Sequence, residues 1–134
     1  MKLVRPRNQC KQKLICYEIE IAKHKHFYSS LIDIEEAEKI IRLLSKYFKI
    51  GVKQIDFNYK SKLYGGKAER KTNKIRFRRK KLNLLIVCHE LCHLLCYKKE
   101  IFGHPKEFYD NLDRIVDFIE NNIRFSIQIK RIGQ

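Results

Sequence analysis

Apolar and polar positions alternate from Ile15 to Ile21. Ile15, Tyr17, Ile19 and Ile21 fall on one face and Cys16, Glu18 and Glu20 on the other. A period of two with β-branched members predicts a strand over 15–21. The period then lengthens. Ala37, Ile40, Ile41, Leu44, Tyr47 and Phe48 recur at helical spacing behind Asp33 and Glu36, a pair with the form of a capping box. An amphipathic helix is predicted over 34–49, with Gly51 as its stop. Val52, Ile55, Phe57 and Tyr59 mark a strand over 52–60, and Gly65-Gly66 signals a turn. A strand pair is expected around a Thr72-Asn73 turn, its second member the alternating run Lys74-Ile75-Arg76-Phe77-Arg78. Residues 82–97 are mostly apolar and hold neither Gly nor Pro. The run is too long for a typical strand and predicts a buried helix. Gly103-His104-Pro105 opens another helix: Pro105 suits the first helical position, and Glu107 the positive end of the dipole. Its inner stripe is Phe108, Leu112, Ile115 and Ile119, and Asp110, Asp113, Asp117 and Glu120 read as a solvated acidic face. The tail alternates through Ile123, Phe125, Ile127 and Ile129, which predicts a last half-buried strand and makes it a candidate partner for 15–21.

These elements predict an α+β fold, and 134 residues of 16.2 kDa suffice for one domain over 1–134. The longest apolar stretch, Leu84-Leu85-Ile86-Val87-Cys88, is far short of the ~20 residues a bilayer requires. The charged start Met1-Lys2-Leu3-Val4-Arg5 has no apolar segment behind it, so no secretory signal is read there. A cytoplasmic protein without a membrane partner is expected. The five cysteines, Cys10, Cys16, Cys88, Cys92 and Cys96, are odd in number and form no C-x-x-C pair, which argues against a disulfide scaffold and a zinc ribbon. Cys88, Cys92 and Cys96 form a stripe that reads as small buried side chains.

Charge changes the picture more. Thirty Lys and Arg against fifteen Asp and Glu leave +15, with a pI near 9.7. Such a chain attracts polyanions and repels its own copies, so nucleic acid is expected as a neighbour and a monomer as the state. The excess is concentrated in 67–81, where Lys67, Arg70, Lys71, Lys74, Arg76, Arg78, Arg79, Lys80 and Lys81 stand against Glu69 alone. A strand pair with such residues outward can lie against phosphates, Arg making bidentate contacts. Tyr64 and Phe77 are candidate stacking residues, with the core as the stronger expectation for Phe77. The competing reading is an edge hairpin protected from aggregation by its charge.

The chemistry lies immediately after this run. His89-Glu90-Leu91-Cys92-His93 is an H-E-x-x-H. On a helix His89 and His93 differ by about 40° of rotation and ~6 Å of rise, so both imidazoles project toward one point, where Zn²⁺ can be held at ~2.0–2.1 Å. Glu90, about 100° further round, is placed as the general base toward a water on the ion. Burying two imidazoles and a carboxylate in so apolar a helix costs several kcal/mol, in order of magnitude, unless something such as a metal satisfies them. A catalytic zinc needs a third protein ligand. The candidates are His104, Glu100, Glu107 and Glu120, with His104 favoured. The metzincin pattern is excluded because Cys96 and Lys99 stand where it requires Gly and His. His24 and His26 read as solvated residues of a Lys-rich loop.

His89-Glu90-Leu91-Cys92-His93 followed by Gly103-His104-Pro105-Lys106-Glu107-Phe108 resembles the SprT-like zinc metallopeptidases, whose motif is H-E-x-x-H with a later G-H-x-x-x-F. Gly65-Gly66 through Asn73-Lys74-Ile75-Arg76-Phe77 is similar to the hairpin that precedes their active-site helix. The resemblance covers roughly 34–121, leaving 1–30 and 122–134 as flanking strands. It implies a zincin-like domain: a small antiparallel sheet packed with an N-terminal helix, the H-E-x-x-H helix and a C-terminal helix. It also implies one zinc ion on His89, His93 and His104, with Glu90 as catalytic base and a protein or peptide as substrate. The Spartan-type members degrade proteins crosslinked to DNA, which implies DNA as a partner and a nucleoid-associated location. Many members carry a C-terminal zinc ribbon that is missing here, so any DNA contact falls to the domain itself. Tyr64, Tyr97 and Tyr109 are candidates for the oxyanion donor. Two alternatives stand beside this reading: a regulatory peptidase that cuts a repressor or antitoxin, and a non-enzymatic basic nucleic-acid-binding domain with a structural zinc.

Overall fold

Two helices form where the sequence places them, each started by a side-chain cap. The computed structural model describes residues 18, 20–60, 65–100 and 106–122, with the side chain of Lys81 outside that set. In chain order the elements are α1 (Lys25–Tyr28), α2 (Ile34–Tyr47), β1 (Gln54–Asp56), β2 (Gly66–Glu69), β3 (Lys74–Phe77), a 3₁₀ turn (Arg79–Lys81), α3 (Leu84–Lys98) and α4 (Lys106–Asn122). Asp33 caps α2, its Oδ1 accepting from Glu36 N at 2.8 Å. Asn83 caps α3 in the same way, accepting from Ile86 N at 2.9 Å. The predicted stop at Gly51 comes slightly late. Lys49 takes the left-handed conformation (φ 56°), and Ile50 N donates to Ser45 O at 2.8 Å, which closes α2 as a Schellman motif.

The strand predicted over 15–21 is not one where the chain is described: residues 18 and 20–23 are helical. Glu20, His24 and Phe27 are all buried, at spacings of four and three, the stripe of a helix face. Alternation of the isoleucines mimicked a strand because the residues actually buried include two polar ones. His24 is likewise corrected from a solvated loop residue to a buried one. Its Nε2 lies 3.2 Å from Asp113 Oδ1, and His26 Nε2 lies 3.0 Å from Glu120 Oε1. Lys23 Nζ adds a 2.7 Å pair to Asp113 Oδ2. The acidic face of α4 is therefore not simply solvated. Asp113 and Glu120 hold the 20–28 segment, while Asp110 and Asp117 are exposed as expected.

The sheet has the order β1-β3-β2, and it is mixed rather than antiparallel. β2 and β3 form the expected hairpin, Lys67 opposite Arg76 and Ala68 opposite Ile75, with Asn73 at φ 52° in the turn. β1 pairs parallel to β3, Ile55 beside Ile75. It is shorter than the predicted 52–60 strand. Ile75 and Phe77 point inward and are fully buried, which assigns Phe77 to the core; Lys67, Glu69, Lys74 and Arg76 share the other face. The sheet and the helices converge on α3, where twelve of fifteen residues are buried. A helix that is apolar on nearly all sides belongs at the centre of the molecule. α4 packs on it through Phe108, Leu112, Ile115 and Ile119, all fully or almost fully buried. Leu84 N donates to Ser30 O at 3.0 Å, which ties the segment after α1 to the start of α3. No helix among the described residues is long and apolar enough to cross a membrane. The predicted tail strand over 123–129 lies outside the described residues.

Candidate metal centre

Four residues of separation on α3 bring His89 and His93 to one side of the helix. Their Nε2 atoms face each other at 3.1 Å. Two nitrogens bound at ~2.0–2.1 Å to one tetrahedral zinc stand about 3.3 Å apart, so the pair has nearly the spacing of two ligands on one ion. The rings are edge to face, with centroids 4.8 Å apart. His89 is 2% exposed and His93 is half-buried, so the pair opens outward on the His93 side.

The far side of His89 is held by a residue the motif does not contain. Its Nδ1 lies 2.7 Å from Glu20 Oε1, and both side chains are buried. A carboxylate offers only acceptors, so the imidazole Nδ1–H is the donor. The sequence reading missed Glu20 by assigning it to the polar face of a strand. The signal that could have found it is the helical spacing of Glu20, His24 and Phe27.

Glu90 faces inward: it is 3% exposed. Its surroundings are set by β2, since a Cβ built on Gly66 would meet Glu90 Cγ at 3.0 Å and Phe77 Cδ1 at 3.1 Å. The hairpin therefore lies directly over the candidate base. Phe108, four residues after His104, places its ring 5.2 Å from that of His89 and 4.8 Å from that of His93. The first turn of α4 thus stands at the histidine pair. His104 itself lies outside the described residues, as does Tyr64. Tyr97 and Tyr109 are half-buried. Among the described residues no group of three or more His, Cys, Asp and Glu side chains is arranged to hold a metal. The two imidazoles stand together there, with Glu20 behind His89.

The cysteine stripe behaves as small buried packing. Cys88, Cys92 and Cys96 are buried free thiols. Cys92 Sγ donates to Phe108 O at 3.3 Å and lies 3.9 Å from Cys96 Sγ, so it ties α3 to α4. Burial pushes the Cys88 and Cys92 thiols far up, which favours their neutral form.

The basic residues of 67–81 differ in exposure. Lys67, Arg70, Lys71, Arg79 and Lys80 are exposed, and Lys74 and Arg78 are half-buried. Arg76 is engaged on the hairpin's own surface, Nε 2.8 Å from Glu69 Oε2. Lys81 cannot be placed with them, its side chain being outside the described set. Searches against family models, curated proteins and solved structures gave no match for this chain.

Proposed function

We propose that the protein is a zinc-dependent peptidase of the SprT-like kind, with a zincin-like arrangement of its domain. The observation that carries the reading is the 3.1 Å approach of His89 Nε2 and His93 Nε2 on a buried helix. His104 is the proposed third ligand, and the position of Phe108 beside both rings supports it, because only a few residues separate the two in the chain. A zinc ion held by these imidazoles would supply Lewis acidity toward a scissile carbonyl and a more acidic water. The chain's own contribution is proton handling and exclusion of bulk water. Glu90 takes a proton from the attacking water and returns it to the leaving amine. Its burial under β2 shields that exchange from competing solvent.

The test compares wild type with Glu90→Gln for zinc content, for cleavage of fluorescently labelled casein, and for self-cleavage with and without single-stranded DNA. Glu90→Gln retains the zinc and the fold and loses cleavage by at least ~100-fold, the scale of a general base. Equal cleavage in the two proteins refutes the mechanism. Self-cleavage that rises with DNA assigns the substrates to DNA-associated or DNA-crosslinked proteins. Cleavage indifferent to DNA assigns the site to a regulatory peptidase.

A second reading has its own observation, the exposed cations Lys67, Arg70, Lys71, Arg79 and Lys80 on and beside the hairpin. On it the protein is a basic nucleic-acid-binding domain whose zinc is structural. Zinc held by four protein ligands, with no cleavage of casein or of itself, selects this reading.

A further inference from the structure

The 20–28 segment brings a carboxylate into the core that neither the motif nor the basic surface accounts for. Glu20 is 1% exposed, and its Oε1 accepts from His89 Nδ1 at 2.7 Å. Its Oε2 is buried with no hydrogen-bond partner among the described residues. A carboxylate is an expensive group to bury, and an apolar residue of similar size is commonly as good or better for stability alone. The segment is nonetheless held firmly in this pose. Lys23 and His24 engage Asp113, and His26 engages Glu120, all on α4. At its other end Ser30 O accepts from Leu84 N at the start of α3. The segment is therefore tied to the helix that carries the histidine pair and to the helix beside it.

We infer that Glu20 is the positioning residue of the metal centre: its carboxylate fixes the tautomer and the ring plane of His89. The reasoning is local. An imidazole that donates Nδ1–H to an acceptor-only group keeps the lone pair on Nε2. That lone pair faces His93 Nε2 at 3.1 Å, at the point where a shared cation would sit. The negative charge also raises the donor strength of the ring, as outer carboxylates do for metal-bound histidines generally. The hydrogen bond of Glu20 is to His89, so it acts through that ring. The inference rests on the reading of His89 and His93 as metal ligands.

The test measures zinc affinity by competition with a chromophoric chelator, for wild type, Glu20→Gln and His93→Ala. Circular dichroism and thermal unfolding of each metal-free protein are followed alongside. Glu20→Gln keeps an acceptor for Nδ1–H but loses the charge; it binds zinc about 10–100-fold more weakly than wild type, the usual scale for such partners. Zinc that binds wild type, is lost in His93→Ala, and binds Glu20→Gln with wild-type affinity overturns this inference and leaves the metal reading standing. A wild-type chain that binds no zinc overturns both. A measurement on wild type alone keeps the inference open to refutation even if Glu20→Gln does not fold. Imidazole ¹⁵N spectra of the metal-free protein in mildly alkaline buffer show His89 protonated at Nδ1 and bare at Nε2; the opposite tautomer overturns the assignment.

Discussion

Gly66 leaves no room for a side chain over the candidate base. An added Cβ would stand 3.0 Å from Glu90 Cγ, 3.1 Å from Phe77 Cδ1 and 3.1 Å from the carbonyl oxygen of Arg76. The last of these is backbone in the hairpin and cannot step aside cheaply. Gly66→Ala therefore displaces the Glu90 stem or spreads the hairpin. We expect a loss of about 1–3 kcal/mol in chemical denaturation, the usual range for overpacking, together with a fall in casein cleavage. Unchanged stability and cleavage would show that the strand does not press on Glu90. At this scale the sequence was informative about identity and silent about neighbours. The two imidazoles and the carboxylate of the motif were legible because helical geometry alone sets their mutual directions. Glu20 was not, since it meets His89 across 69 residues of chain, and no local period encodes such a meeting.

Among the elements, the capped helices were the most legible. Asp33 and Asn83 each satisfy a backbone N–H that the first turn leaves without an intrahelical partner. Removing either cap costs about 1 kcal/mol, read as a shift of the urea midpoint, yet the consequences differ. Asp33→Ala should leave zinc affinity and cleavage unchanged, because α2 carries none of the proposed site. Asn83→Ala frays the start of α3, the helix that carries His89 and His93, and should lower zinc affinity as well as stability. Equal effects of the two substitutions on zinc would argue that α3 is held by tertiary packing alone. The β2–β3 hairpin was equally legible from its alternation and from Asn73 in the turn. The 15–21 strand was not, because its isoleucines satisfy a period of two while the buried Glu20 keeps helical spacing with His24 and Phe27. The pairing of β1 parallel to β3 was likewise hidden, since a parallel neighbour carries no turn signal to announce it.

On the scale of the molecule, the charge is +15 over 134 residues, and the question is where it can act. The exposed cations near the hairpin stand on and beside the strand that covers Glu90, and Lys67 lies on its outer face, so a bound polyanion would lie across that strand from Glu90. Binding of single-stranded DNA, followed by fluorescence anisotropy, should weaken steeply with added salt, in proportion to the number of phosphates engaged. The double variant Lys67→Ala with Arg70→Ala should reduce the logarithmic salt slope by about 2, roughly 1 for each phosphate no longer neutralised. A slope unchanged by the substitutions would move the binding surface elsewhere. Arg76 is a poorer choice for this test, because its guanidinium is already paired with Glu69.

Local periodicity and fixed spacing were enough to encode the capped helix α2, a charged hairpin, a buried central helix and two histidines on one side of it. The folded chain was needed to show which face of the 20–28 segment is buried, that Asp113 and Glu120 hold that segment, and that β1 joins β3 in parallel. It was needed too for the cover that Gly66 forms over Glu90 and for the support that Glu20 gives His89. For the polar pairs the physical reason is the same. Burial of a charged group is favourable only with a partner, and the partner is supplied by a distant part of the chain, so neither residue shows its role until the two have met.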